Sequence, residues 1–508
     1  MAAKTLMIQG TSSSVGKSLL VTALCRIFSR RGVRVAPFKA QNMSNNAAVC
    51  ADGSEIGRAQ ALQAAAAGLA PVADMNPILL KPEADSRSQV IVLGRPWRTL
   101  QAGSYYRRKE ELWPIVTAAF DRLRSAHDLV LIEGAGSPAE LNLRSADMVN
   151  MALAAHAEAP VLLVGDIDRG GIFAQLLGTL WLLEPVERAR VRGLVVNKFR
   201  GDRKLFTAGV SILEARSGLP VLGVLPFLPN MGVPEEDAVA LDTSNEALPA
   251  RLDIAVIRLP HIANFDDFDP LRAEPGVRLY YVDSPQTLGR PRAIILPGTK
   301  STSADLVWLR AQGLADEIRR RAETDTAVVG ICGGYQMLGR SLRDPQGVEA
   351  AVTECNGLGL LPVDTVFERA KATFQVRAVV ADGPGWLDGL RGQELHGYEI
   401  HVGKTESAVP WLRLVSRNEE PCSQRDGAIG NGGRVWGCYL HGLFANDAFR
   451  HAWLRSLEDS VNHASETAAT LNGNVSYHQL FEHALTRLAD AVECELDLPR
   501  LEAIIEGR

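Results

Sequence analysis

The sequence contains no CxxC pair, and its seven cysteines are odd in number and widely spaced. That usage argues against a disulfide framework or a thiolate zinc site and leads us to expect a reducing, cytoplasmic setting. No apolar run is long enough to span a bilayer, and residues 1–4 run into an apolar strand without a signal-type cleavage site, so no membrane partner is expected. Charge of one sign is also scarce. The net value is −5, with 54 basic and 59 acidic residues intermixed, so no basic stripe points to nucleic acid. Internal repeats are absent, and the one biased tract is an alanine-rich helical pattern near residues 59–67. What remains is a chain of 508 residues, 46% hydrophobic, which is too long for one ordinary core and rich enough for two. A small molecule is the expected partner.

Short apolar runs at 5–9, 33–38, 129–133, 161–164, 194–197 and 221–225 alternate with helical patterns. This rhythm predicts a doubly wound α/β domain with a mainly parallel sheet over 1–228. Prolines and an acidic cluster break the rhythm, and 229–251 reads as a linker. A second series at 252–258, 293–296, 327–331 and 435–440 predicts another doubly wound, flavodoxin-like α/β domain over 252–508. Its end, from 447 onward, reads as helices packed on that second domain.

The first predicted strand ends in Gly10-Thr11-Ser-Ser-Ser14-Val15-Gly16-Lys17-Ser18 and is followed by an apolar helical run. Small residues between strand and helix let backbone N–H groups turn toward phosphate oxygens, Lys17 neutralises the outer phosphates, and Ser18 joins a magnesium shell. The spacing between the glycines is one residue longer than in the commonest P-loop. Glu133 closes the strand 129–133, where it reads either as a second magnesium ligand or as a plain acidic turn. Asn197 ends another strand and has the paired donor and acceptor needed to read an adenine edge. Polar segments at strand ends contribute Lys39, Gln41, Asn42, Asn45, Asp166 and Arg169, which suit either a substrate with several carboxylates or turn and capping contacts.

In the second domain, Gly330-Ile331-Cys332-Gly333-Gly334 sits between an apolar run and a helical start. That is a nucleophile elbow with cysteine in place of serine, and Cys332 is the expected nucleophile. His441 follows the last predicted strand and is the expected base, with His396 and His401 as competitors. Gly298, in a Pro-Gly turn, and Gly333 are candidates for an oxyanion hole; an ordinary turn is the alternative for Gly298.

These motifs, together with His396-Gly-Tyr-Glu-Ile-His401 and Leu296-Pro-Gly-Thr-Lys-Ser-Thr302, resemble the cobyric acid synthase family of cobalamin (vitamin B12) biosynthesis over nearly the whole chain. The front half is similar to dethiobiotin synthetase, and the back half to class I-type glutamine amidotransferases. The resemblance implies a ligase that uses ATP, Mg2+ and glutamine to amidate the b, d, e and g carboxylates of adenosylcobyrinic a,c-diamide. It also implies a corrinoid polycarboxylate as partner, with a homo-oligomer possible. Asp147 is a further front-domain candidate on this resemblance. One departure stands out: class I glutaminases carry a glutamate two residues after the histidine, and here that position is Leu443. Without a carboxylate His441 is expected to be poorly oriented. Two other readings are therefore weighed, a cobyrinic acid a,c-diamide synthase and a P-loop nucleotide switch with an inactive amidotransferase domain.

Overall fold

The computed structural model describes residues 3–83, 87–229, 231–234, 251–349, 353–459 and 476–508. Of the expected linker 229–251, all but 229, 231–234 and 251 lie outside the described residues.

The continuous apolar runs of the front half form a six-stranded sheet in the order Val221–Pro226, Val191–Phe199, Val161–Asp166, Lys4–Gly10, Leu129–Glu133, Val35–Phe38. Every neighbouring pair is parallel. Burial on both faces is what such runs require, and helices supply it. Because the strand order reverses around Lys4–Gly10, the crevice at its carboxyl end is the natural ligand site. The P-loop opens there.

The second sheet runs Val277–Val282, Leu252–Ile257, Ala293–Leu296, Ala327–Ile331, Val435–Cys438, Ala428–Gly430, and only the last pairing is antiparallel. Cys332 and His441 follow adjacent strands, so the topology alone brings them to one edge.

Two further layers were not foreseen. Residues expected as loops in the front domain instead form the hairpin Ala47–Val49 with Glu55–Gly57 and, with later residues, a four-stranded sheet from Gln41–Met43 to Arg95–Gln101. In the back domain, Val363–Val380 and Glu394–Ser407 pair antiparallel within a third large sheet. Their alternating burial, one face inward and one to water, is the signature of a half-buried strand.

The C-terminal helices correct one expectation. Asp447–Asp459 does pack on the second domain, inserting Phe449 and Trp453 into its core. Tyr477–Glu493 and Leu498–Glu506, in contrast, lie on the front domain. Leu485, Leu488, Val492 and Leu501 share a core with Leu20, Leu24 and Ile27 of the P-loop helix Lys17–Arg30. The physical reason is that this helix offers an apolar flank, rimmed by Arg26, Arg30 and Arg31, which meet Glu482, Asp490 and Glu502. The ion pairs are partly exposed and contribute little; the apolar area holds the contact. Among the described residues, no helix is long and apolar enough to cross a membrane.

Leu485 is fully buried in that contact. Leu485→Ala should destabilise the front domain by about 2–5 kcal/mol and weaken nucleotide binding, read by thermal unfolding with and without nucleotide. An unchanged unfolding midpoint would mean that the helix adds nothing to the P-loop helix.

Candidate active site

At the front site the loop between strand and helix is shaped by two left-handed residues, Ser14 with φ 58° and Gly16 with φ 99°. A Cβ at Gly16 would lie 2.2 Å from Asn197 Nδ2, so glycine is required by conformation and by space. Asn197 donates to the Val15 carbonyl at 2.8 Å. The structure thus gives this amide a loop-positioning contact. Lys198, also left-handed, donates to Ser14 O at 2.6 Å and to Asp166 Oδ2 at 2.9 Å. Thr11 donates from its backbone N–H to Val164 O, and Gly10 leaves room for Val15 and the Lys17 ammonium. Lys17 reaches Ser12 O at 3.0 Å and Gly136 O at 3.1 Å, spanning from the loop to the turn after Glu133.

Glu133 is 1% exposed and receives three donors: Ser18 Oγ at 2.8 Å, Lys39 Nζ at 2.8 Å and Gln63 Nε2 at 2.6 Å. Burial alone would raise its pKa. The Lys39 charge and the hydrogen bonds from Lys39, Gln63 and Ser18 outweigh burial and hold its carboxyl below the usual range. A hydroxyl and an ionised carboxylate beside a phosphate cradle are hard oxygen donors that fit magnesium, which takes few protein ligands and fills the rest with water and phosphate. Among the described residues, no group of three or more His, Cys, Asp or Glu side chains offers a metal site.

The remaining front candidates divide. Lys39 belongs to this cluster. Asn42 is buried against Gln60 at 3.0 Å, Gln41 is hydrogen-bonded to Tyr105, and Asn45 Oδ1 is buried without a hydrogen-bond partner among the described residues. Asp166 is buried against Lys198, while Arg169 is largely exposed and 3.8 Å from it. For Asp147 the structure favours a capping role: its carboxylate accepts from the N–H groups of Val149, Asn150 and Ala152, all at 2.9 Å. Those bonds hold Asn150, whose amide supports the turn 134–136 through Ala135 O at 2.8 Å.

At the back site Cys332 has φ 52° and ψ −110°, a strained geometry between the strand Ala327–Ile331 and the helix Gly333–Leu338. Gly334 makes the turn possible, because a Cβ there would sit 1.9 Å from Leu296 O. Gly298 lies against the imidazole of His441, and Gly333 packs on Thr299, so both oxyanion candidates border the Cys332–His441 pair.

His441 does have a carboxylate partner. Asp267 Oδ2 lies 2.7 Å from His441 Nδ1, and Asp267 Oδ1 accepts from Gly442 N–H at 2.8 Å. The expectation of a poorly oriented histidine is therefore corrected: the turn Phe265–Phe268, and not position 443, supplies the third member. Burial opposes a charged imidazole, but Asp267 and then Cys332, through charge and hydrogen bonding, push the His441 pKa up to about 10. The competing histidines stand apart. His396 is exposed, and His401 is stacked on Tyr439 with its Nδ1 2.7 Å from Gly403 O. Their segment nonetheless builds the site. Tyr398 exchanges both backbone hydrogen bonds with His441 and stacks on its ring at 5.1 Å, while Ile400 O accepts from Cys332 Sγ at 3.5 Å.

Sequence reading missed Asp267, Gln63, Asn150 and Tyr398. The one available signal for Asp267 was a pair of adjacent aspartates, Asp266 and Asp267, between Phe265 and Phe268 and just before a short helix.

Because His441 titrates higher folded than unfolded, its charged form stabilises the fold fully below about pH 6.5 and ceases to do so as pH rises through about 10. Asp267→Asn should cut cysteine-dependent glutamine hydrolysis by about 10²–10⁴-fold and move the alkaline fall of kcat/KM to lower pH. A pH–rate profile of the mutant that overlays wild type would remove Asp267 from the catalytic group.

Comparison with known proteins agrees with this two-site geometry. Residues 6–237 match the CobQ/CobB/MinD/ParA nucleotide binding domain, and residues 253–449 match the CobB/CobQ-like glutamine amidotransferase domain. The chain is 58% identical over 460 residues to the cobyric acid synthase of Chloroflexus aurantiacus, covering 90% of this chain and 92% of that one. It is 54% identical over 497 residues to that of Chloroflexus aggregans, covering 97% and 98%. With the Roseiflexus castenholzii protein of the same name it shares 55% over 496 residues, covering 95% and 100%. A P-loop site and a cysteine–histidine–aspartate site joined in one chain, with relatives more than half identical from end to end, make this chain a member of the cobyric acid synthase family.

Proposed function

We propose that this chain amidates the b, d, e and g carboxylates of adenosylcobyrinic a,c-diamide, taking nitrogen from glutamine and driving each step with one ATP. The observation that carries this reading is the strained Cys332 with His441 held by Asp267, in the same chain as a P-loop whose Ser18 meets Glu133. A nucleotide switch has no use for the first site. An inactive amidotransferase domain is disfavoured by a complete nucleophile, base and carboxylate. The a,c-diamide synthase alternative is disfavoured by the names of the relatives.

At the back site Cys332 Sγ attacks the carboxamide carbon of glutamine, and backbone N–H groups at Gly298 and Gly333 face the developing oxyanion. His441 passes a proton to the leaving nitrogen, the C–N bond breaks, and ammonia departs from a γ-glutamyl thioester. Water, deprotonated by the same imidazole, then releases glutamate and restores the thiol.

At the front site ATP supplies a phosphoryl group that converts a corrin-borne carboxylate into an acyl phosphate, with magnesium neutralising phosphate charge. Lys17 and the loop N–H groups orient the phosphates, Ser18 and Glu133 would hold the metal, and Asn197 fixes the loop from below. We assign reception of the polycarboxylate to the polar segment that carries Lys39, Gln41, Asn42 and Asn45, with Asp166 and Arg169 beside the P-loop. Ammonia attacking the activated carbonyl carbon expels phosphate and leaves the amide.

Mass spectrometry of the corrinoid product tests the scheme. Wild type with Mg-ATP and glutamine should add four successive replacements of OH by NH2, each lowering the mass by about 1 Da. Cys332→Ser should lose that with glutamine and retain it with ammonium salt. Lys17→Ala should lose amidation with either nitrogen source, by about 10²-fold or more. No mass change in wild type with either source would overturn the substrate assignment.

A further inference from the structure

The turn that carries Asp267 is gripped by the other domain. Ala47 N–H, from the front-domain hairpin, donates to Asn264 Oδ1 at 3.0 Å, immediately before the turn. Arg58, the first residue of the front-domain helix Arg58–Ala66, forms a partly buried ion pair with Asp266, the neighbour of Asp267. The same guanidinium donates to Tyr398 Oη at 3.1 Å and lies 5.6 Å from that ring, whose other neighbour is the His441 imidazole. Arg58 thus reaches both groups that hold His441, Tyr398 directly and Asp267 through its neighbour Asp266.

Charge explains why a cation is needed there. Asp266 and Asp267 are adjacent carboxylates, both buried, and such a pair repels unless a positive charge balances it. Burial works against the Arg58 charge, yet Asp266, Tyr398 and Asp267 together keep it firmly protonated. Asp266 is itself pushed up by burial and by Asp267, with Arg58 opposing.

The same helix touches the nucleotide site. Five residues after Arg58, Gln63 donates to Glu133 Oε2, and Glu133 in turn holds Ser18 of the P-loop. Five residues of helix span about 7.5 Å, so a single helix places one side chain in each site.

We propose that Arg58 is a positioning residue for glutamine hydrolysis, supplied by the synthetase domain, and that the helix Arg58–Ala66 ties the state of the P-loop to the His441–Asp267 pair. The proposal rests on the amidotransferase reading above and deepens it. Arg58 acts through Asp266 and Tyr398, the side chains it holds. Removing its charge leaves two buried carboxylates unbalanced beside His441, and removing its hydrogen bond loosens the ring stacked on the imidazole.

Full-length Arg58→Met, Arg58→Lys and Tyr398→Phe are compared for glutaminase kcat and KM and for amidation driven by ammonium salt. Arg58→Met should lower kcat for glutamine hydrolysis about 10- to 100-fold with KM for glutamine changed less than about threefold, as expected for a group acting on orientation and not on binding. Ammonium-driven amidation should stay within about threefold of wild type, which would also show that the amidotransferase reading stands. Arg58→Lys keeps the charge and should recover part of the lost kcat. Should Arg58→Met not fold, Tyr398→Phe, which keeps the stacked ring and removes only the hydroxyl, decides by a several-fold drop in kcat. The proposal is overturned if kcat for glutamine is unchanged, if Arg58→Lys is no better than Arg58→Met, or if ammonium-driven amidation falls in parallel.

Discussion

The front domain is organised around one buried carboxylate that cannot stand alone. An ionised group at the carboxyl end of a buried strand, shut away from water, costs several kcal/mol unless its oxygens are paired. Glu133 meets that demand with donors from three separate segments: Ser18 from the P-loop helix, Lys39 from the end of the second strand, and Gln63 from the helix after the hairpin. Satisfying one side chain therefore fixes where the phosphate loop, the segment after the second strand and the interdomain helix sit relative to each other. A nonpolar residue there would leave the Lys39 charge buried and unbalanced, with nothing to assemble these three pieces around.

The back domain solves a comparable problem with an imidazole. Its parallel sheet delivers Cys332 and His441 to one edge, and the antiparallel sheet closes over them by pairing Tyr398 with His441 along the backbone. The hydrophobic cluster that includes Tyr398 and Ile400 also contains Ala47, Val49, Leu79 and Ile91 of the front domain. The wall of the cysteine site is thus part of the domain interface. Around this cluster lie two further interdomain contacts, the buried Lys371–Glu55 pair and Lys300 with Glu83 at 3.2 Å.

Much of this was legible in the amino-acid order, and the parts that were not share a cause. Buried parallel strands announce themselves as short apolar runs, so both sheets were read directly, and the glycine turns at Gly16-Lys17 and Cys332-Gly333 marked where each candidate site would open. Asp267 was not, because the search for a partner to His441 looked two residues downstream at Leu443, whereas the carboxylate arrives from 174 residues upstream through the fold. Local spacing carries no information about such a contact. The last two helices were read correctly as helices and assigned to the wrong neighbour, since an apolar stripe states that it must be covered but not by what. The long antiparallel strands escaped because charged residues interrupt their alternation.

The placement of those last two helices has a consequence for how the two reaction centres move. The glutaminase domain is reached from the front domain through the connection before residue 252, and its own chain then returns to end on the P-loop helix. It is therefore tethered at both ends to the same partner. A body held by one strap can swing freely, whereas one held by two can only rock about the axis through its attachments. The effective concentration of one domain at the other is raised by that double attachment, whatever the affinity of the interface between them.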